Sequence, residues 1–254
     1  MNSIEITKKQ ITDAIFTGKI QPFIQPIVNK NKVLVGYEVL ARWIVSEHEI
    51  RLPLTFIPIV KDDQQLSECL TNALLLQLIS HFKFHNNIGL FISINIYSHS
   101  LTTPIINLLI TLNQSINVVI EILENDDIIN IEHFRTTLDF LKIEGIKLAI
   151  DDFGCGNNVN KRLFDYPFDY VKIDRFFVKD IDIDVSKFKS LQVIVALIHH
   201  FDLPIIAEGL ETETIFKLLT GLNIEMYQGY LFSKPIPLDA KLSLSRDTAL
   251  NHCV

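Results

Sequence analysis

Ile146-Lys-Leu-Ala-Ile-Asp-Asp-Phe-Gly-Cys-Gly156 reads as a buried strand that runs into two adjacent carboxylates and a glycine-punctuated loop. Ile146, Leu148, Ala149 and Ile150 form an apolar run of strand length, and Gly154 and Gly156 permit the backbone geometry of a tight exit. Asp151 and Asp152 therefore fall at the strand's C-terminal end. Two carboxylates this close repel unless one is protonated or a cation lies between them, which points to a hard divalent ion. A solvated Asp-Asp turn has the same local sequence, so the surrounding chain has to decide.

Working outward, the chain repeats strand and helix. Upstream stand a strand at 89–95, a helix at 101–112, a strand at 117–124 and a helix at 131–143. Downstream come a strand at 169–174, a helix at 186–201, a strand at 203–208, a helix at 212–221 and a last strand near 226–232. Nearer the N-terminus, residues 4–17 have helical spacing ending at Gly18, and 67–84 has the length and apolar stripe of a packed helix. Pro22 and Pro26 place the extended segment 22–28 at an edge or rim. In 33–43 partial alternation puts Glu38 and Arg42 on one strand face and Tyr37, Val39 and Ala41 on the other. Repeated units of this size imply parallel strands, and close to eight of them imply an α/β protein with a (β/α)8 barrel of TIM type.

Asn95, Glu121, Asp151, Asp152, Lys172, Asp174, Glu208 and Gln228 interrupt apolar sequence at or near the ends of six different strands. In such a barrel those ends converge on one mouth. Any one could be a satisfied core polar group, but a ring of carboxylates with one Asn and one Lys suits two hard metal ions plus a charge that steadies water or an anion.

With 254 residues, 48% hydrophobic and 21% charged, and no low-complexity tract, the chain is expected to be one domain over 1–254 with its core at about 20–240. The net charge of -7 argues against general nucleic-acid binding. No apolar run approaches the ~18 residues of a membrane span, so no membrane association is expected. Cys69, Cys155 and Cys253 make no zinc spacing, which fits a reduced, cytoplasmic setting.

These residues resemble the EAL-domain phosphodiesterases of the bacterial second messenger cyclic di-GMP, over nearly the whole chain, from Gln25-Pro-Ile-Val28 to Phe232-Ser-Lys-Pro-Ile-Pro237. Glu38-Val-Leu-Ala-Arg42 is similar to the signature that names the family, with Val39 in place of the usual alanine. Asn95, Glu121-Ile-Leu-Glu124, Asp151-Asp-Phe-Gly154, Lys172-Ile-Asp174, Ala207-Glu-Gly-Leu-Glu211 and Gln228-Gly-Tyr230 resemble its other blocks, in order.

The resemblance implies a modified TIM-type barrel with an antiparallel first strand, and hydrolysis of cyclic di-GMP to linear pGpG. It implies two Mg2+ or Mn2+ ions held by Glu38, Asn95, Glu121, Asp151 and Asp152. Lys172 corresponds to a lysine at the attacking water and Glu208 to a general base or metal-linked acid. Asp174 and Gln228 match contacts to metal-bound water. Gln25, Leu40, Arg42, Glu211 and Pro235 fall where the family grips substrate, with Arg42 on a phosphate. Glu124 resembles its loop anchor, and a homodimer is expected. One departure is Asn157-Asn-Val-Asn160, where the family usually has an aromatic and small hydroxyl residues. That loop motivates an alternative expectation: a weakly active or inactive module that serves as a cyclic di-GMP receptor or protein-interaction module.

Overall fold

The computed structural model describes residues 6–85, 87–123, 128, 130–154, 163 and 165–240. The N-terminal part comprises α1 (Lys8–Phe16), β1 (Ile20–Asn29), β2 (Leu34–Ser46), β3 (Glu49–Arg51), α2 (Ile57–Lys61) and α3 (Gln64–Phe82). Then follow β4 (Phe91–Asn95), α4 (Thr103–Asn113), β5 (Asn117–Leu123), α5 (Ile131–Ile143) and β6 (Lys147–Phe153). The chain continues through β7 (Tyr170–Ile173), α6 (Arg175–Val178), α7 (Val185–His199), β8 (Ile205–Ala207), α8 (Glu213–Gly221), β9 (Met226–Gln228) and β10 (Ile236–Pro237).

Strands β2, β4, β5, β6, β7, β8 and β9 pair in that order, all parallel. β1 closes the ring, antiparallel to β2 on one side and β9 on the other. The result is an eight-stranded barrel with the antiparallel first strand that the resemblance implied. The expectation that Pro22 and Pro26 put their segment at an edge is overturned, because β1 is paired on both sides. The two prolines are accommodated because β9 and β10 pair only with residues 27–29 and 23–24 of β1, leaving Pro22 and Pro26 without a ladder partner on that side. A missing N–H costs nothing where no ladder uses it.

Most helix starts lie within a few residues of where apolar periodicity places them, and side-chain caps fix four of them. The side chains of Asp63, Asn130, Asp184 and Thr212 each accept a backbone N–H of the first turn of α3, α5, α7 and α8. At the other end of α1, Gly18 sits at φ 68°, as its expected stop role requires.

What positions the site is the two-residue strand period. Ile27, Phe91, Val119, Ala149, Ile206 and Met226 form an apolar plug inside the barrel. Two residues further along each of β5, β6, β8 and β9 toward the mouth stand Glu121, Asp151, Glu208 and Gln228; Gln25 lies two back along the reversed β1. Side chains two apart share a face, so the plug forms a dry floor beneath a polar layer. Outside the barrel, residues such as Ile92, Ile120, Leu148, Val171 and Ile205 are buried under the helices.

Candidate metal and substrate site

Lys172 is the centre of the polar layer. Its side chain is wholly buried, and its Nζ lies 2.6 Å from Glu208 Oε1, 2.8 Å from Glu121 Oε2, 3.1 Å from Asp151 Oδ1 and 3.3 Å from Glu38 Oε1. Asn95 Nδ2 donates to Glu121 Oε2 at 2.9 Å and Glu38 Oε1 at 3.2 Å. Gln228 Nε2 donates to Gln25 Oε1 at 3.1 Å and also to Glu38 Oε2, while Gln25 Nε2 donates to the Ser233 carbonyl at 3.0 Å.

One ammonium cannot neutralise four carboxylates, and burial sharpens the imbalance. Burial, then the charges of Glu38 and Asp151, push Glu121 up to about 8 against the opposing pull of Lys172. Asp151 and Glu208 are raised for the same first reason. Lys172 is held well above its ordinary value: desolvation pulls it down, but the surrounding carboxylates outweigh it. Asp152 is pushed up to about 6 by burial and by the charges of Asp151 and Asp174.

The donor chemistry fits a hard divalent ion. Glu38, Glu121 and Asp151 offer oxygens that all lie within 4.8 Å of one another, and buried Glu121 Oε1 has no hydrogen-bond partner among the described residues. Asp152 joins them by a departure from strand geometry. In a regular strand it would point away from Asp151, but the β6–β7 register shifts between Ile150 and Phe153, and Asp152 takes φ 55°. Bulge and left-handed residue together bring both carboxylates to one cleft. Gly154, at φ 99°, leaves this turn with no room for a Cβ, which would meet the Phe177 ring at 2.6 Å.

The cleft above the polar layer holds about 460 Å³, and of the residues singled out from the sequence Gln25, Glu38, Leu40, Asp151, Asp152, Glu208, Glu211 and Gln228 line it. Asn95, Glu121 and Lys172 bond to residues of its floor. Half-buried Arg42 donates to the Ala41 carbonyl at 2.9 Å, and burial lowers its pKa against the fields of Tyr230 and Glu38. Asp174 caps α6, accepting from Phe176 N at 2.7 Å. Pro235 stands outside the cleft lining, just beyond Ser233 and before β10. Glu124, Cys155 and the Asn157–Asn160 run lie outside the described residues.

Besides Gly209 and Gly229, three cleft residues had been given no role: Leu54, Arg175 and Tyr230. Arg175 Nη2 bonds Glu211 Oε1 at 2.7 Å, so a carboxylate expected to meet substrate already has a cationic partner. Arg175 directly follows Lys172-Ile-Asp174 and Tyr230 ends Gln228-Gly-Tyr230, so position beside a motif was the available signal. Leu54 carried none.

The EAL domain family matches residues 8–235. The chain is 31% identical over 242 residues to the cyclic di-GMP phosphodiesterase PdeL of Escherichia coli, covering 91% of this chain and 67% of PdeL. The EAL enzyme Bd1971, in its cAMP- and cyclic-di-GMP-bound form, superimposes with a TM-score of 0.78 at 29% identity, over 91% of this chain and 66% of that one. Klebsiella pneumoniae BlrP1, in a manganese and cyclic-di-GMP complex, gives a TM-score of 0.71 at 26% identity, over 87% of this chain and 57% of its own. Across three E. coli relatives the chain spans from 67% down to 31% of their lengths. Among the described residues no helix is long and apolar enough to cross a membrane.

Proposed function

This chain belongs to the EAL-domain family, and from that premise we propose that it hydrolyses cyclic di-GMP to linear pGpG with two divalent ions, Mg2+ or Mn2+. The observation that carries the reading is the layer of four carboxylates around buried Lys172, open to a cleft of about 460 Å³. The names of PdeL and of the ligand-bound Bd1971 and BlrP1 structures support the substrate, and the BlrP1 complex supports the metal.

Glu38, Asn95, Glu121, Asp151 and Asp152 would hold the ions. When bound, these would acidify a water and neutralise phosphoryl oxygens. Lys172, whose ammonium meets all four carboxylates, would be free to donate toward an attacking water once bound ions take over part of that charge. Burial favours the protonated Glu208 carboxyl, so Glu208 would serve as base only once ionised beside Lys172 and the bound ions; it would then take a proton from the attacking water as the new P–O bond forms and the P–O3′ bond breaks, and the departing 3′-oxygen would take a proton from solvent. Gln228 and Gln25 fix the Glu38 carboxylate by a chain of side-chain amides. Arg42 offers a planar fork to a phosphate, and Leu40, Glu211 and Tyr230 flank the bases. The Asp151–Asp152 bulge keeps two adjacent carboxylates on one side, as a two-ion site requires.

The test is product analysis of cyclic di-GMP incubated with purified protein and Mn2+, beside Glu38→Ala. Linear pGpG from the wild type alone is the expected result. Intact substrate with retained binding would refute hydrolysis and favour the receptor reading that the Asn157–Asn160 run motivates.

A further inference from the structure

A second space, of about 220 Å³, lies on the outside of the barrel beneath α2 and α3. Val39 and Ala41 of β2, Ile57 and Val60 of α2, and Leu70 and Leu74 of α3 enclose it. No charged side chain lines it among the described residues. Its polar lining is largely committed elsewhere: Thr71 Oγ1 donates to the Ser67 carbonyl at 2.9 Å, and Ser67 Oγ accepts from Ser100 Oγ at 2.8 Å. Asn95 Nδ2, at one edge, is already given to Glu38 and Glu121. A space without unmet polar groups holds water poorly, and an apolar cavity of roughly 150 Å³ takes up benzene. Its lining atoms lack dispersion partners that a fitting apolar molecule would supply.

Two of its lining residues also reach the candidate site, one at the cleft and one at the carboxylates. Leu40 lines both this cavity and the substrate cleft. Asn95 lines the cavity while its amide ties Glu38 to Glu121. A molecule filling the cavity would fix both side chains from behind.

We propose that this cavity is a binding site for a small uncharged aromatic molecule of one or two fused rings, and that its occupancy alters metal affinity through Leu40 and Asn95. The size excludes a nucleotide, and the lack of charge excludes an anion. Nothing in this argument depends on which phosphodiester the cleft cleaves.

Indole is a suitable probe for the full chain. In EDTA, a saturable rise in melting temperature of about 3–6 °C is expected at ten times its Kd. Calorimetric titration with Mn2+ should then show at least a threefold change in affinity with indole present. Leu70→Phe, which fills the cavity, should abolish both effects. Thr71→Leu provides a second filled variant should the first not fold. The absence of a saturable rise, a rise that survives in both folded variants, or an unchanged Mn2+ affinity would each overturn the proposal. Hydrolysis plays no part in either readout, so failure here is distinguishable from failure of the phosphodiesterase reading.

Discussion

Replacing Lys172 by methionine would keep most of the volume of a wholly buried side chain and remove the one cation that four carboxylates approach within 3.3 Å. Removing one partner of a buried ion pair costs about 3–5 kcal/mol, because the other partner stays buried and uncompensated. In a chain of this size each kcal/mol moves the midpoint by about 2–4 °C, so metal-free Lys172→Met should melt about 6–20 °C below wild type. Part of that loss is recovered when the carboxyls protonate, so the gap should be widest near pH 8 and narrow toward pH 5. A divalent ion supplies the missing charge, and saturating Mn2+ should therefore raise the variant's midpoint more than the wild type's. Thermal melts in EDTA and in Mn2+ at both pH values decide the matter. A variant within 2 °C of wild type in EDTA at pH 8, or one that Mn2+ stabilises no more than wild type, would refute the charge balance drawn from this site.

Three further expectations follow from the same geometry. Glu121 and Asp152 have folded pKa values raised to about 8 and about 6, so they bind protons more tightly folded than unfolded. Their contribution is thus full at low pH and lost as pH rises through those values, and metal-free protein should melt progressively lower from pH 5 to pH 8, a slope that saturating Mn2+ should flatten; a flat metal-free profile would contradict the shifts. Arg42→Lys keeps the charge but loses the planar fork, and steady-state kinetics should show KM rising about tenfold with kcat changed less than threefold, whereas an unchanged KM would remove Arg42 from substrate binding. A Cβ on Gly229 would lie 2.2 Å from the Leu210 carbonyl oxygen, between the segment after β8 that carries Glu208 and the end of β9 that carries Gln228, so Gly229→Ala should cost about 1–3 kcal/mol by urea denaturation and weaken Mn2+ binding; wild-type stability would rule out this close packing.

Much of this was legible in the sequence because the barrel's rule is simple. A strand that points one apolar side chain into the barrel points its i+2 neighbour there too, so Val119 with Glu121 and Ala149 with Asp151 announce both a floor and a site. The illegible parts are those where local chemistry and global closure diverge. Pro22 and Pro26 read as an edge because local sequence does not reveal that the β9 and β10 ladders include neither. The Asp152 bulge cannot be inferred from alternation, since it consists in breaking alternation. β3, α6 and β10 are two to four residues long, too short for a periodic signal. Arg175 reaches the cleft through contacts across loops, with Glu211 lying 36 residues away.

The way β1 closes the ring has a consequence for biosynthesis. Glu38 is held by Gln228, 190 residues further along the chain, and the barrel has no seam until β9 meets β1. At about 5–20 residues per second, a ribosome delivers the second of these roughly 10–40 s after the first. Throughout that interval Glu38 lacks the Gln228 amide, although Asn95 and Lys172, which also bond it, are made earlier. The polar layer is therefore completed only once β9 has emerged, and a product truncated before β9 carries Glu38, Glu121 and Asp151 without the closed ring that holds them together.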